Sequence, residues 1–157
     1  MDRVIIRKAR TNDLSSIGSL WKEYMDFHKS RDSHYWRTKN GHKVFKKFVA
    51  GHMASGASRV LVAEQNGNVV GYCLAALAKY PPVFRSRDYG TIFDLAVNAP
   101  CRRKGIGEKL YREARRWFCD HKIHRIELRV AISNKTSYAF WKKMGFKPYV
   151  TTVVKHV

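Results

Sequence analysis

The first third of the chain changes from a strand pattern to two helical patterns. A short apolar run, Val4–Ile6, predicts a first strand. Apolar residues then recur every three or four positions from Leu14, which predicts a helix that ends near His28. The polar, basic stretch 29–41 is predicted to be a loop, and a second apolar stripe predicts a helix over 42–53. The two stripes are Leu14, Ile17, Leu20, Trp21, Tyr24 and Met25, then Val44, Phe45, Phe48 and Val49.

The rest of the chain alternates between β-prone runs and amphipathic helices. Two apolar runs flank Asn66-Gly67, which is a strong signal for a β-hairpin. The apolar run that starts at Gly90 predicts a further strand, and a basic loop leads from it to a helix that ends near Lys122. An alternating run at 125–131, a helix closed by Gly145, and a last β-rich run at Tyr149–Val154 follow.

This order of elements predicts one domain over residues 1–157. Strands and helices alternate without a regular βαβ repeat, which favours a single α/β (α+β) domain. We expect a mixed, mostly antiparallel sheet of six to seven strands with helices on both faces.

The loop between the Gly90 strand and the next helix is a candidate anion site. It carries three consecutive cations, Arg102, Arg103 and Lys104, and two glycines, Gly105 and Gly107. The first N–H groups of a helix have no intrahelical partner, and glycines let these amides approach a phosphate closely. The spacing matches neither a Walker loop nor a dinucleotide fingerprint. From the loop alone, a tight strand-to-helix turn remains an equal alternative.

Composition limits the compartment and the partners. The chain has no apolar run of about 20 residues and no signal-peptide pattern, so we expect a soluble, cytoplasmic protein. Its three cysteines are widely spaced, as expected for reduced thiols. The net charge of +19 favours acidic ligands, either nucleic acid or a phosphorylated cosubstrate, although it can also reflect a generally basic proteome.

Two motifs together resemble one family. Residues 102–107 fit the pattern [QR]-x-x-G-x-[GA], and residues 134–146 resemble N-x-x-[AS]-x-x-[FL]-Y-x-x-x-G-F. The helix start at Ala9–Leu14 and the hairpin at 62–71 extend the similarity over nearly the whole chain. The sequence thus resembles the GCN5-related N-acetyltransferase (GNAT) superfamily. The resemblance implies acyl transfer from acetyl-CoA to an amine within a ternary complex.

The resemblance also implies which residues hold acetyl-CoA. The loop amides and cations would grip the pyrophosphate, and the backbone of the preceding strand would pair with the pantetheine arm. Asn134 would contact the pantetheine, and it is also a favoured helix N-cap. Trp141 stands with this set, where relatives often carry a tyrosine that acts as an acid. The implied cosubstrate-binding residues are Leu95, Ala96, Val97, Arg102, Arg103, Lys104, Gly105, Ile106, Gly107, Asn134 and Trp141.

Two residues are candidates for proton transfer. Asp94 lies between apolar residues on the cosubstrate strand, where burial would raise its pKa toward a useful range for a base. The alternative is a structural carboxylate paired with Arg129 or another cation. Indole is not a practical proton source, so Trp141 leaves the acid undefined. Tyr138 lies on the same predicted helical face as Asn134 and Trp141, and it is the substitute acid by geometry, with simple packing as the alternative.

Other reactive residues are weaker candidates. Cys101 adjoins the loop, but no nearby base supports a covalent acyl-enzyme. The spacing of His28, His34 and His42 matches no metal-ligand motif, so we expect no metal. We expect the acceptor to be bound by residues 21–35 and 79–89, which form this side of the site in relatives.

The sequence therefore supports two functions. The first is an N-acetyltransferase that moves an acetyl group from acetyl-CoA to a primary amine of a small molecule or protein. The alternative is a basic nucleic-acid- or ribosome-associated module of the same fold, which acetylates a bound protein or has lost catalysis. Either could be a monomer or a homodimer, and the sequence does not identify the acceptor.

Overall fold

The computed structural model describes residues 3–30, 34 and 36–157. Four predicted helices lie close to their expected positions, and the strands precede or separate them. Short 3-10 turns at Thr11–Asp13 and Ala99–Cys101 connect some of the elements. The elements in chain order are β1 (Val4–Lys8), α1 (Leu14–Lys29), α2 (Gly41–Ala54), β2 (Ser58–Gln65), β3 (Asn68–Lys79), β4 (Asp88–Val97), α3 (Ile106–Asp120), β5 (Ile126–Leu128) and α4 (Lys135–Lys143).

One mixed sheet runs through the molecule in the order β1-β2-β3-β4-β5. The first three pairings are antiparallel, and β5 joins β4 in parallel. The β2–β3 hairpin turns at Asn66 and Gly67, which both adopt positive φ (51° and 76°). This is the geometry of a tight turn that matches the twist of the two strands, so the hairpin prediction is confirmed.

Two apolar clusters hold helices against opposite faces of the sheet. On one face, α1 and α2 contribute Ile17, Leu20, Phe45 and Val49, which pack against Tyr72 and Leu74 of β3; these six belong to one buried cluster. On the other face, α3 contributes Leu110, Ala114, Trp117 and Phe118 to a second cluster that also includes Trp141 of α4. The helices therefore cover both faces, as predicted.

The predicted strand number is wrong for the described residues, which contain five strands rather than six or seven. The β-rich run at Tyr149–Val154 forms no strand, and Tyr149 and Val154 are both highly exposed. The alternating run at 125–131 contributes only the three residues of β5. A β-prone sequence forms a strand only where a neighbouring strand supplies hydrogen bonds and its side chains can pack. The run at Tyr149–Val154 has no such neighbour among the described strands.

Candidate functional site

The centre of the candidate site is an irregularity in β4. Leu74 of β3 is opposite Asp94, but the next residue, Ala75, is opposite Ile92. Phe93 is therefore the extra residue of a β-bulge, a feature that re-aims side chains and often lies next to functional sites. Because of the bulge, Phe93 and Asp94 both lie on the sheet face covered by α1 and α2. Phe93 contacts Phe48 and His52 of α2 on that face.

After the bulge, β4 pairs with a neighbouring strand on one side only. β5 pairs with Gly90, Thr91 and Ile92, and its three residues end there. In the described part of the chain, residues 94–97 then pair with β3 alone. The backbone groups that point away from β3 form an open strand edge inside the molecule. Such an edge can form backbone hydrogen bonds with an extended, amide-containing ligand, in the way that it would with an additional β-strand.

Asp94 is half-buried on this bulge, and its carboxylate forms no ion pair with any described residue, Arg129 included. Burial raises the pKa of Asp94 from 3.8 to about 7. Loss of solvation disfavours the charged form, and no neighbouring cation offsets this loss. A carboxylate with a pKa near neutrality is suited to accept a proton from an amine.

Tyr72 is a neighbour of Asp94 that the sequence did not single out. It is fully buried on β3, two residues before Leu74, on the same face of the sheet as Asp94. Burial raises its pKa well above 10, and the Asp94 carboxylate raises it further. Its hydroxyl forms no hydrogen bond within the described residues. A buried, unpaired hydroxyl is costly unless something else satisfies it, so it is a candidate to contact a ligand.

The basic loop ends in a helix start that is open to an anion. Gly105 precedes α3 with a φ of 78°, and a β-carbon there would meet nothing within 4 Å. Lys109 is the first residue of α3 whose N–H bonds back to Gly105, at 3.1 Å. The amides of Ile106, Gly107 and Glu108 therefore stand at the positive end of the helix dipole without helical acceptors. The structure thus has the open helix start that the sequence predicts, and the binding of an anion there stays a prediction.

The three loop cations do not share one environment. Arg102 is held by other groups: its Nε donates to the Val97 carbonyl at 2.8 Å, and its Nη2 donates to Glu23 of α1 at 2.8 Å. Arg103 and Lys104 are exposed and form no ion pair within the described residues. Arg102 thus ties the loop to α1, whereas Arg103 and Lys104 are the cations available to an anion.

The three site residues predicted on α4 have different surroundings: one caps the helix, one is buried and one is partly exposed. The Asn134 side chain accepts the Ser137 N–H at 3.1 Å, so it caps α4, as one of its two predicted roles requires. Trp141 is buried in the α3 cluster, edge to face with Tyr111. Tyr138 is 37% exposed on the helix surface. Phe140 lies near Gly107, so α4 packs beside the start of α3.

The structure describes most of the two segments that were predicted to bind the acceptor. Residues 31–33 and 35 of the predicted 21–35 segment lie outside the described residues. The segment 79–89 brings Tyr80 and Tyr89 into a stacked pair at 4.3 Å. Tyr72 and Phe93 were not predicted as site residues from the sequence, whereas Glu23 falls within the predicted acceptor segment 21–35. In the sequence, the one sign of the role of Phe93 is its position next to Asp94. Only the bulge places the side chains of both residues on one face.

Comparisons with known proteins agree with this geometry. The model of the acetyltransferase (GNAT) family matches residues 17–146. An uncharacterised N-acetyltransferase of Methanocaldococcus jannaschii is 27% identical over 143 residues, which are 90% of this chain. The chain spans 60% of the length of that relative.

Solved structures share the fold. A tetramutant of the BH1408 protein of Bacillus halodurans superposes with a TM-score of 0.87 at 22% identity, covering 98% of this chain and 99% of that one. A predicted acetyltransferase of Clostridium acetobutylicum, solved with acetyl-CoA, has a TM-score of 0.77 at 18% identity, with 98% and 96% covered. In the described ranges, no helix has the length and apolar content that a membrane crossing requires.

Proposed function

This chain belongs to the GNAT family of acetyltransferases, whose cosubstrate is acetyl-CoA, and from that premise we propose that it acetylates a primary amine by direct attack on the thioester. The observation that carries the proposal is Asp94: a half-buried carboxylate with a pKa of about 7, on a bulge beside an open strand edge. This combination provides a base next to the place where an extended cosubstrate would bind.

The residues of the loop and of β4 fit acetyl-CoA. The unpaired amides at the start of α3 suit a pyrophosphate, and the open space around the Gly105 α-carbon leaves them accessible. Arg103 and Lys104 add positive charge at the same end of the helix. The free edge at Leu95–Val97 suits the amides of the pantetheine arm, which bind as a strand would.

Asp94 would act as the base in the reaction. The ionised carboxylate accepts a proton from the ammonium group of the acceptor, and the neutral nitrogen then forms a bond to the acetyl carbon. The carbon–sulfur bond breaks, and the thiolate of CoA takes the proton lost from nitrogen when the amide forms. With a pKa of about 7, part of the Asp94 population is ionised near neutral pH and can accept the proton of the ammonium group.

Two tyrosines, Tyr138 and Tyr72, are candidates for an acid that relays this proton from nitrogen to the leaving thiolate. Trp141 is packed in the core and its indole is not a practical acid. Tyr138 is partly exposed at the surface of α4. Tyr72 has a buried hydroxyl near Asp94 that forms no hydrogen bond with the described residues. The burial and the raised pKa of Tyr72 favour a neutral hydroxyl that donates a hydrogen bond. A thiolate is a fair leaving group without full protonation.

The second candidate function, a basic module that binds nucleic acid or the ribosome, is favoured by the net charge of +19. On α3, Lys109 and Arg115 are exposed and form no ion pair with described residues. Such binding would weaken steeply as salt concentration rises, because cations on nucleic acid are released on association.

The test of the first function is release of free CoA thiol. Purified protein with acetyl-CoA should release thiol in proportion to added amine, and the product should carry the added acetyl mass. The Asp94→Asn variant should bind acetyl-CoA normally in calorimetry and release thiol far more slowly. No release with any amine or peptide, despite tight acetyl-CoA binding, would favour the second function.

A further inference from the structure

Most of the described carboxylates of this protein form ion pairs with cations. Ten of its twelve acidic residues lie in the described ranges, and eight of those form ion pairs. The other two are Asp94 and Asp120. The paired residues are Asp13, Glu23, Asp26, Glu64, Asp88, Glu108, Glu113 and Glu127.

The two uncommitted carboxylates lie on opposite faces of the sheet. Asp120 lines a cleft with Arg7, Lys8 and Trp117, on the face covered by α3. Asp94 lies on the face covered by α1 and α2. Among the described residues on that second face, Asp94 is therefore the single carboxylate without an ion pair, and it is free to bind the ammonium group of an acetyl acceptor.

An exposed aromatic surface adjoins Asp94. Phe93 on the bulge is 49% exposed and Phe48 on α2 is 45% exposed, and their rings meet edge to face at 6.0 Å. His52 contacts both rings, at 4.5 Å from Phe48 and 5.3 Å from Phe93. Burial lowers the pKa of His52, so this ring is neutral at physiological pH. We call Phe48, His52 and Phe93 the aromatic wall.

From these observations we infer that the acceptor is a primary amine joined by a short linker to an aromatic ring, with the amine at Asp94 and the ring against the aromatic wall. The inference rests on the proposed acetyl transfer and specifies its acceptor. Aromatic side chains exposed together beside a polar group are typical of ligand sites, and ring-on-ring contacts there favour an aromatic ligand. A primary amine linked in this way to an aromatic ring occurs in free arylalkylamines and in peptides that begin with phenylalanine.

The charge distribution disfavours polycationic acceptors. A polyamine or an aminoglycoside carries several ammonium groups, and each needs a carboxylate or a strong acceptor when it leaves water. Asp94 can serve one of them, and the net charge of +19 repels the others. An acceptor with one cationic group and an apolar remainder avoids this cost.

The experiment compares kcat/KM values for thiol release across a matched panel. The panel contains phenethylamine, propylamine as the amine without a ring, a tetrapeptide with N-terminal phenylalanine, spermidine and kanamycin. We expect phenethylamine or the peptide to exceed propylamine by at least tenfold and spermidine and kanamycin by more. The ratio of phenethylamine to peptide distinguishes a free amine from a protein N-terminus.

Variants of the wall test the assignment to these residues. Phe93→Ala and Phe48→Ala should each lower the ratio of kcat/KM for the preferred aromatic acceptor to kcat/KM for propylamine at least fivefold, whereas Phe93→Tyr should keep most of this ratio. Ile5→Ala is the matched control, since Ile5 is 46% exposed on β1 at the other end of the sheet. That control should leave the ratio unchanged.

Two results would overturn the inference while leaving the acetyl transfer intact. One is a higher kcat/KM for spermidine or kanamycin than for every aromatic acceptor. The other is an aromatic preference that persists unchanged in Phe93→Ala and Phe48→Ala. Absence of thiol release with every acceptor in the panel is a different result, because it removes the proposed acetyl transfer itself.

Discussion

The side chains of Tyr72 and Asp94 lie on the same face of adjacent strands, and the Asp94 carboxylate raises the pKa of the Tyr72 phenol. Tyr72 is opposite Ala96 and Asp94 is opposite Leu74, so the two are diagonal neighbours across β3 and β4. Side chains in this relation can contact each other when one of them is long and aromatic. A buried hydroxyl and a half-buried carboxylate thus converge beside the open edge of β4.

Replacing Tyr72 with phenylalanine should separate a catalytic role from a structural one. The hydroxyl has no protein partner in the described residues, so its removal should leave the free energy of unfolding unchanged or raise it by about 1 kcal/mol. If the hydroxyl donates to the reacting groups, kcat should fall about tenfold or more. Urea unfolding and steady-state kinetics measure the two effects. Tyr111→Phe, the same change in the α3 cluster, is the control; equal activity in both variants would argue against a role for Tyr72.

The pH dependence of the reaction should follow Asp94. The ionised carboxylate is the active form of the base, so kcat/KM should rise with pH and level off above about pH 7. Asp94→Asn should lower kcat/KM by about 100-fold or more and remove this limb of the profile. Asp120→Asn, which changes the uncommitted carboxylate on the other face, should keep the wild-type profile. A wild-type limb that survives in Asp94→Asn would exclude Asp94 as the base.

Asp94 should also make the protein less stable at high pH. Its pKa is 3.8 in a model carboxyl and about 7 in the folded protein, so the folded state binds more protons than the unfolded state between these values. Stability contributed by this group is therefore lost as the pH rises from about 4 to 7. At 1.36 kcal/mol for each pKa unit, Asp94→Asn should stabilise the protein by roughly 2–4 kcal/mol at pH 8.

The same variant should change stability little at pH 4, where the folded carboxyl is protonated and resembles the amide. Urea denaturation of both proteins at pH 4 and pH 8 measures the difference. An equal effect of the substitution at the two pH values would show that Asp94 titrates normally in the folded state.

Among the loop glycines, Gly105 should be the sensitive one for acetyl-CoA binding. A β-carbon at Gly105 would project into open space next to the free amides, whereas one at Gly107 would lie 3.4 Å from Leu95 and 3.5 Å from Phe140, an ordinary packing distance. We expect Gly105→Val to weaken acetyl-CoA binding at least tenfold in calorimetry. Gly107→Ala should be tolerated.

Gly67→Val is the matched control for backbone strain. Gly67 has a φ of 76° and Gly105 a φ of 78°, and neither has an atom within 4 Å of the added β-carbon. Both substitutions should therefore cost a similar amount of stability, about 1 kcal/mol. Only Gly105→Val should lose affinity. Equal affinities in the two variants would remove the loop from the cosubstrate site.

Local sequence patterns were sufficient for the parts of the fold that depend on neighbouring residues. The helical stripes predicted α1 and α2 to within a residue or two, and Asn66-Gly67 located the hairpin. The loop at 102–107 predicted the open helix start, because glycine position and helix capping are local properties. The segment Tyr149–Val154 failed as a strand because a strand also needs a distant partner.

The sequence alone determined that the chain has a basic loop before a helix and a carboxylate within an apolar strand. Only the tertiary structure decided what surrounds that carboxylate. The pairing of β3 with β4 places Asp94 on the same face as Tyr72, and the bulge adds Phe93 to that face. Arg129 forms no ion pair with Asp94, so desolvation acts on the carboxylate without a compensating charge. Arg102, which the sequence grouped with Arg103, is held by Glu23, 79 positions away along the chain. Desolvation and ion pairing depend on which distant residues meet, and local spacing does not encode this.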